Sequence, residues 1–454
     1  MPINNFYYRG RKVPLTIPQL VNEESNCYTV IIGKNGIGKS SLLSEIINDQ
    51  LHYMYEKKPY EFTEINSNND PKIISISTSP FDKFPLRSWN KNTNYKYIGM
   101  RNGINTSSAI NLISSAIKAL FQRILKNNHQ IELVRMFEIL GFHPSLEIIV
   151  QPNFSNSKIN KDDEFSFLPI ERNYKRHEYF DILNISLKSK QANDSLEKAT
   201  DDNLKKIQEA LIFLEENPTS SNASSISLDF SLGGLIKSFY RNKFTDKFHL
   251  EHLNILLEYN LLKIIDVRLD KEDYEKISLR RASSGEQCMI SLILGIAGHI
   301  TNNSLIFIDE PEISLHPKWQ EEFMPLLIEI FKAYKGCHFL IATHSPQIIS
   351  QLNDNNCFIT SLTENKAYPA KDFNNMSSDF QLAELFEAPG IKNEYITRLA
   401  FSLLSKLKTN KKINHELKSD LSKLISFKDN LDHNDPTIEL IQSVQEVFNF
   451  YASH

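Results

Sequence analysis

The octapeptide Gly33-Lys34-Asn35-Gly36-Ile37-Gly38-Lys39-Ser40 constrains this chain more than any other stretch, because it fits GxxxxGK[ST] at every specified position. Before it runs Cys27 to Ile32 (CYTVII), a continuous apolar stretch suited to a parallel strand buried on both faces. After it, from about Lys39, a helix is expected. A buried strand that feeds a glycine-rich turn into a helix N-terminus aims backbone amides at an anion. In that arrangement Lys39 neutralises phosphate oxygens and the Ser40 hydroxyl can ligate magnesium, with Ser41 next along the helix. Gly33 to Ser41 are therefore the candidate nucleotide-binding residues.

Three further segments narrow the chemistry. Ser304 to Glu310 (SLIFIDE) reads as an apolar strand ending in two acids. Asp309 is placed to hold magnesium, through water or with Ser40, and Glu310 to polarise an attacking water. Pro311-Glu312-Ile313-Ser314-Leu315-His316-Pro317 follows. His338 to Ala342 (HFLIA) reads as another buried strand, with Thr343-His344-Ser345-Pro346 at its end, so that His344 can reach a terminal phosphate. Upstream, Ser283-Ser284-Gly285-Glu286-Gln287 precedes an apolar helix expected over Cys288 to Ile300. A Ser-Gly pair at a helix N-terminus favours phosphate, which makes Ser284, Gly285 and Glu286 candidates as well.

The rest of the 454 residues sets the frame. Lys72 to Ser77 (KIISIS) reads as a second central strand. From there to about residue 270 helical stretches dominate, such as Ser107 to Lys126 and Asn193 to Glu216, with a polar loop over Asn153 to Glu164. Amphipathic helices fill the chain from Ser378. The expected division is 1–80, 81–270, 271–365 and 366–454. No stretch approaches the ~18 apolar residues of a membrane helix, and Met1 to Asn5 lacks a signal pattern, so a cytoplasmic protein without membrane contact is expected. Four widely spaced cysteines, each in or beside an apolar run, read as buried thiols. A net charge of −4 leaves no global nucleic-acid footprint, so nucleic acid would be met through a complex.

The set GKNGIGKS, SSGEQ, LIFIDEPE and ATHSP resembles, in order, the Walker A, signature, Walker B and switch-histidine motifs of ABC ATPases. DEPEISLHP and ATHSPQII look like the soluble SMC/RecF/OLD branch. The resemblance implies an α/β fold: an ABC-ATPase head of the P-loop NTPase type, with a central, mostly parallel sheet, a largely helical insertion and C-terminal helices. It also implies ATP and Mg²⁺ held between two copies of the chain, with Ser284 and Gly285 acting on the partner copy's nucleotide and Ser314 to His316 linking the two sites. STSPFDKFPL, YKYIGMRNG and FQLAELFEAPGIKNEYITRL are similar to PtuA, the ATPase of the Septu anti-phage system, which also occurs in some retron operons. That finer resemblance implies a higher-order assembly and a separate HNH nuclease subunit, PtuB. The alternative is an autonomous RecF- or SMC-like DNA-repair ATPase.

The pattern departs from the family at two points. The signature reads SSGEQ rather than LSGGQ. After KIISIS the chain gives Thr78-Ser79-Pro80, with no glutamine where one usually touches magnesium, so Thr78 or Ser79 would act through a water and hydrolysis is expected to be slow. Tyr7 or Tyr8 is a candidate to stack on adenine. After His344 there is no Asp-x-Asp of the kind a TOPRIM nuclease uses, so no nuclease activity is expected of this chain alone. His249 and His252 share helical spacing but read as surface or core, and RNYKR (172–176) and KLKTNKK (406–412) as solvated faces.

Overall fold

Asn5–Tyr8 (β1) and Arg11–Pro14 (β2) form an antiparallel hairpin through a turn in which Arg9 (φ +49°) and Gly10 (φ +76°) are both left-handed. In this computed structural model the described residues are 2–56, 72–77, 79, 81–86, 94–99, 113–114, 116–121, 133–156, 185–187, 190–197, 199–216, 224–230, 235–240, 243–245, 247–271, 276–352, 356–410 and 415–452. Thr78, the RNYKR cluster and most of Ser107 to Lys126 lie outside them. The chain falls into two compact units, Met1–Asn102 with Ile300–His454, and Gly103–His299.

The first unit is built on the apolar runs seen in the sequence. Cys27–Ile32 is β3, Ile73–Ser77 β4 and Tyr95–Gly99 β5; Leu305–Asp309 is β14, His338–Ala342 β15, Cys357–Ser361 β16 and Lys366–Pro369 β17. They pair in the order β17-β16-β3-β15-β14-β4-β5, parallel throughout except for β17 at the edge. β3, β4, β14, β15 and β16 are buried along their whole length. A strand with both faces covered has no solvated side to show, which is why these segments are mainly apolar, with Thr29, Ser75, Ser77, Thr360 and Ser361 buried among them. The register matters most for function. Ile31 pairs with Ala342, Ala342 with Asp309, and Asp309 with Ser77, so four strands reach the same edge of the sheet together. The chain then leaves β3, β14 and β15 at one place.

The C-terminal helices of this unit match the expected amphipathic pattern. Ile396, Ala400, Leu403 and Leu407 on Glu394–Asn410 pack with Leu417, Leu421 and Leu424 on His415–Ser426 and with Ile441, Val444 and Phe448 on Pro436–Ala452. Lys406, from the KLKTNKK cluster, pairs with Glu416 at 3.1 Å and Asp420 at 2.9 Å on the neighbouring helix.

The second unit corrects the expectation of a largely helical insertion. Ser145–Pro152 (β6), Ser224–Asp229 (β9), Leu235–Tyr240 (β10), Lys243–Thr245 (β11), Leu262–Leu269 (β12) and Ile277–Ser278 (β13) form an antiparallel sheet in the order β11-β10-β9-β6-β12-β13. Phe154–Asn156 (β7) and Ile185–Leu187 (β8) pair separately. β9 reads SSISLD, and its alternation of serines with Ile226 and Leu228 places only those two in the core. The helix expected over Asn193 to Glu216 is two helices, Lys190–Leu196 and Asp201–Glu216. The second opens at Thr200, whose Oγ1 accepts the Asn203 N–H at 3.4 Å. His252 is buried and stacks on Phe213 with ring centroids 5.6 Å apart, a core position. All four cysteines are buried.

Candidate functional site

The helix Lys39–Glu56 begins at Lys39, as the glycine-rich turn requires. Gly33 (φ +151°), Gly36 (φ +77°) and Gly38 (φ +107°) carry the turn through conformations that side-chain-bearing residues rarely adopt. At Gly38 space is also decisive, since a Cβ there would collide with the Tyr8 hydroxyl. Tyr8 is buried and donates a hydrogen bond to Gly38 O at 3.1 Å, with the Arg9 guanidinium over its ring. It therefore buttresses the loop from the hairpin, while Tyr7 is exposed.

Lys39 is only 5% exposed, and its ammonium donates to Gly33 O at 2.9 Å and lies 3.2 Å from His344 Nδ1. Burial pulls the ammonium down to about 8, opposed by the charges of Glu310, Glu312 and Asp309. An ammonium only donates, so Nδ1 of His344 accepts and the ring proton sits on Nε2, which points to Glu310 Oε1 at 3.7 Å. Burial, then the neighbouring Lys39 charge, holds His344 down at about 4, so its ring is neutral at pH 7. Ser40 Oγ donates to Asp309 Oδ1 at 3.0 Å. Asp309 is almost wholly buried, and burial pushes its carboxyl up to about 7, with the Ser40 hydrogen bond pulling the other way. Lys39, Ser40, Asp309, Glu310 and His344 thus meet where three adjacent parallel strands end.

The donor set fits a nucleotide with Mg²⁺. The first turn of a helix leaves its amides without intrahelical partners, and these follow directly on the glycine turn. A buried carboxylate beside a hydroxyl supplies hard oxygens of the kind Mg²⁺ takes. Lys34 points elsewhere: its Nζ pairs with Glu387 at 2.9 Å, and its N–H meets Thr363 Oγ1 at 3.4 Å. Asn35 and Gly36 are exposed at the loop tip and Ile37 is half-buried. The Ser41 hydroxyl accepts from Lys83 Nζ at 2.9 Å.

The signature segment belongs to the other unit. The helix there is Ser284–His299, four residues longer at its start than expected. Ser283 caps it: Glu286 Oε2 accepts from Ser283 N at 2.7 Å and from Ser283 Oγ at 2.8 Å, while the Glu286 N–H meets Ser283 Oγ at 3.3 Å. That is a reciprocal capping box, and it occupies the Glu286 carboxylate. Ser284 stays exposed and Gly285 is buried at the helix start. His316 caps the helix Pro317–Phe331 by accepting the Lys318 N–H at 3.3 Å. Ser79 Oγ accepts the Phe81 N–H at 3.2 Å, so its hydroxyl oxygen is engaged in a local turn.

Three residues near the phosphate loop escaped the sequence reading. Asp82 is buried, accepts from Tyr97 Oη at 2.7 Å and from the Phe84 N–H at 3.0 Å, and adds to the rise of Asp309. Glu312 accepts the His344 N–H at 2.5 Å. Glu387 reaches Lys34 from the segment after the helix Ser378–Glu384. Each lies in a segment quoted for a family resemblance (STSPFDKFPL, LIFIDEPE, FQLAELFEAPGIKNEYITRL), but no role for these three side chains is readable there.

A family model described as an AAA ATPase domain matches residues 3–349, well over half of the chain. The chain belongs to this AAA ATPase domain family. Its glycine loop, Asp309, Glu310 and His344 all fall inside the matched residues. Among curated proteins this ATPase domain is similar to the Retron Ec83 probable ATPase of Escherichia coli, 28% identical over 27% of the chain and 24% of that protein. It is also similar to Protein ea59 of Escherichia phage lambda, 27% identical over 23% of the chain and 21% of that protein. With the Retron Vc95 probable ATPase of Vibrio cholerae it shares 24% identity over 77% of the chain and 72% of that protein. The aligned part of this chain spans about a quarter of the first two relatives and nearly three quarters of the third. No helix among the described residues is long and apolar enough to cross a membrane.

Proposed function

We propose that this chain is the ATP-binding and ATP-hydrolysing subunit of a phage-defence assembly, in which two copies enclose ATP and Mg²⁺ and a separate HNH-type nuclease does the cutting. The observation that carries the ATPase part is the convergence of Lys39, Ser40, Asp309, Glu310 and His344 at one sheet edge. The similarity to two retron probable ATPases supports the retron-type setting in which the Septu-like resemblance places the chain. The segments around 77–103 and 380–399 support a Septu-like arrangement with an HNH partner.

The loop amides and Lys39 bind the phosphates, and Lys39 gives up its contact with His344 as it turns to phosphate oxygen. Ser40 and Asp309 would hold Mg²⁺, which would supply charge neutralisation at the phosphate oxygens. Glu310 orients a water and takes its proton, while the Nε2–H of His344 donates toward the oxygen that gains charge. Ser284 and Gly285 of the second copy close over the terminal phosphate. ATP-dependent pairing would then alter the surface offered to the nuclease, since a ligand shifts an equilibrium only through its differential affinity for two arrangements.

The test is purification of the chain alone and from its native operon, followed by assays on plasmid and single-stranded DNA with Mg²⁺ or Mn²⁺, with and without ATP. The chain alone is expected to leave DNA intact, and the operon preparation to contain a small HNH protein and to cut. Cleavage by the isolated chain that follows it through successive columns and survives Glu310→Gln would refute the division of labour.

A further inference from the structure

Two turns carry the reacting groups of the proposed site, and they are fastened to each other through backbone and through the Glu312 side chain. The Glu310 N–H donates to Ala342 O at 2.9 Å, which extends the β14–β15 pairing by one bond. The second fastening is a side chain: Glu312 Oε1 accepts the His344 N–H at 2.5 Å. Between them the backbone is held in an unfavourable form. Glu310 (φ +50°) and Ser314 (φ +70°) are both left-handed without being glycine, and the turn closes on itself through Ile313 N–H to Glu310 O at 3.2 Å and Leu315 N–H to Glu312 O at 3.0 Å. Such conformations are unfavourable and persist only where the surroundings over-determine them. The backbone bond alone fixes where β14 ends. It does not fix the direction in which the Glu310 side chain leaves relative to the imidazole.

We propose that Glu312 is a positioning residue for ATP hydrolysis: its carboxyl oxygen, acting as acceptor for the His344 amide, locks the Glu310 turn against the His344 turn and so sets the Glu310–His344 spacing. Nothing in this role requires Glu312 to touch nucleotide. Its Oε2 is buried, and burial pushes the carboxyl upward. What the geometry asks of position 312 is an acceptor on a two-carbon stem, and negative charge is dispensable. Glutamine meets that requirement and alanine does not.

This inference rests on the reading of Glu310 as the water-activating group, and the experiment separates the two. Steady-state ATP turnover, ATP affinity by calorimetry and thermal melting are measured for wild type, Glu312→Ala, Glu312→Gln, Glu310→Gln and the double variant Glu310→Gln/Glu312→Ala. Glu312→Ala is expected to lower kcat about ten- to a hundredfold with ATP affinity within about threefold, because a displacement near 1 Å in a reacting group costs on that scale. Glu312→Gln should recover turnover to within about threefold of wild type. The double variant should turn over no more slowly than Glu310→Gln alone, since the spacing no longer matters once the carboxylate is gone. A merely structural role would instead lower the melting temperature and ATP binding together, and would slow the double variant further. Wild-type turnover in Glu312→Ala, or a Glu312→Gln enzyme as slow as Glu312→Ala, overturns the proposal. Wild-type turnover in Glu310→Gln overturns the reading beneath it.

Discussion

At the scale of single residues, the site separates holding from reacting. Lys39 is a buried ammonium with two protein contacts, both of which phosphate oxygens can replace. Hydrogen bonds to charged groups are worth about 1.5–3 kcal/mol. Lys39→Ala should therefore weaken ATP binding by roughly ten- to a hundredfold in calorimetry while the melting temperature without nucleotide stays near wild type. Glu310→Gln should do the converse. Its amide fills the same space and keeps ATP bound, but it takes no proton, so turnover should fall by about 10²- to 10⁴-fold. Equal ATP affinity in Lys39→Ala, or equal turnover in Glu310→Gln, would remove that residue from its assigned part. Tyr8 shows where residue-level reading stops. Sequence offers Tyr7 and Tyr8 equally as adenine platforms, but Tyr8 is buried against Gly38 and only Tyr7 presents an open face.

At the scale of elements, β15 is held in place at its start as firmly as at its catalytic end. His338 opens the strand fully buried, with Nδ1 accepting the Ile3 N–H at 3.1 Å and Nε2 lying 2.9 Å from Thr29 Oγ1. Thr29 Oγ1 already donates its hydrogen to Leu15 O at 2.7 Å, so Nε2 must be the donor and the ring must be neutral. Burial holds the ring from its ordinary 6.5 down to about 3. The sign follows from linkage: the unfolded chain binds the proton first, so this contribution is complete above pH 6.5 and is lost as pH falls toward 3. At pH 5 the loss from this one group is about 2 kcal/mol. Urea unfolding of wild type should show that drop between pH 7 and pH 5, and His338→Gln, which cannot titrate, should lack it. An identical pH dependence in the two proteins would mean that other groups carry it.

At the scale of the whole molecule, the glycine loop and the signature helix belong to different compact units. Saturating ATP at about a hundred times its dissociation constant should stabilise the nucleotide-binding unit by about 2.7 kcal/mol, and Lys39→Ala should abolish that shift. The proposed pairing of copies has a sharper test. Ser284→Arg should leave ATP binding to one copy intact and block ATP-dependent dimers in light scattering. When Ser284→Arg is mixed with Lys39→Ala, each mixed dimer of a shared-site assembly keeps one site free of both lesions, so random pairing restores about a quarter of the wild-type sites. Activity no higher than the mean of the two variants alone would argue that each copy works with its own signature segment.

Features that depend on a residue and its near neighbours are readable from consecutive residues. The glycine turn, the start of its helix at Lys39, the buried strands β3, β14 and β15, and the acid pair Asp309-Glu310 were all legible, because strand burial and backbone conformation are written into consecutive residues. The C-terminal helices were legible for the same reason, through the 3.6-residue spacing of positions such as Ile396, Ala400 and Leu403. Features that depend on pairings between distant segments are not readable in this way. The antiparallel sheet of the second unit joins β6 to β9 and β12 across long stretches of chain, and the alternating pattern of β9 gives no local sign of its partners. Glu286 could be read as a phosphate ligand until its hydrogen bonds to Ser283 placed it in a cap. Glu312, Asp82 and Glu387 became part of the site only when register brought the ends of β3, β4, β14 and β15 to one edge. A carboxylate's role is set by what lies within about 3 Å of it, and that neighbourhood is a property of the folded chain.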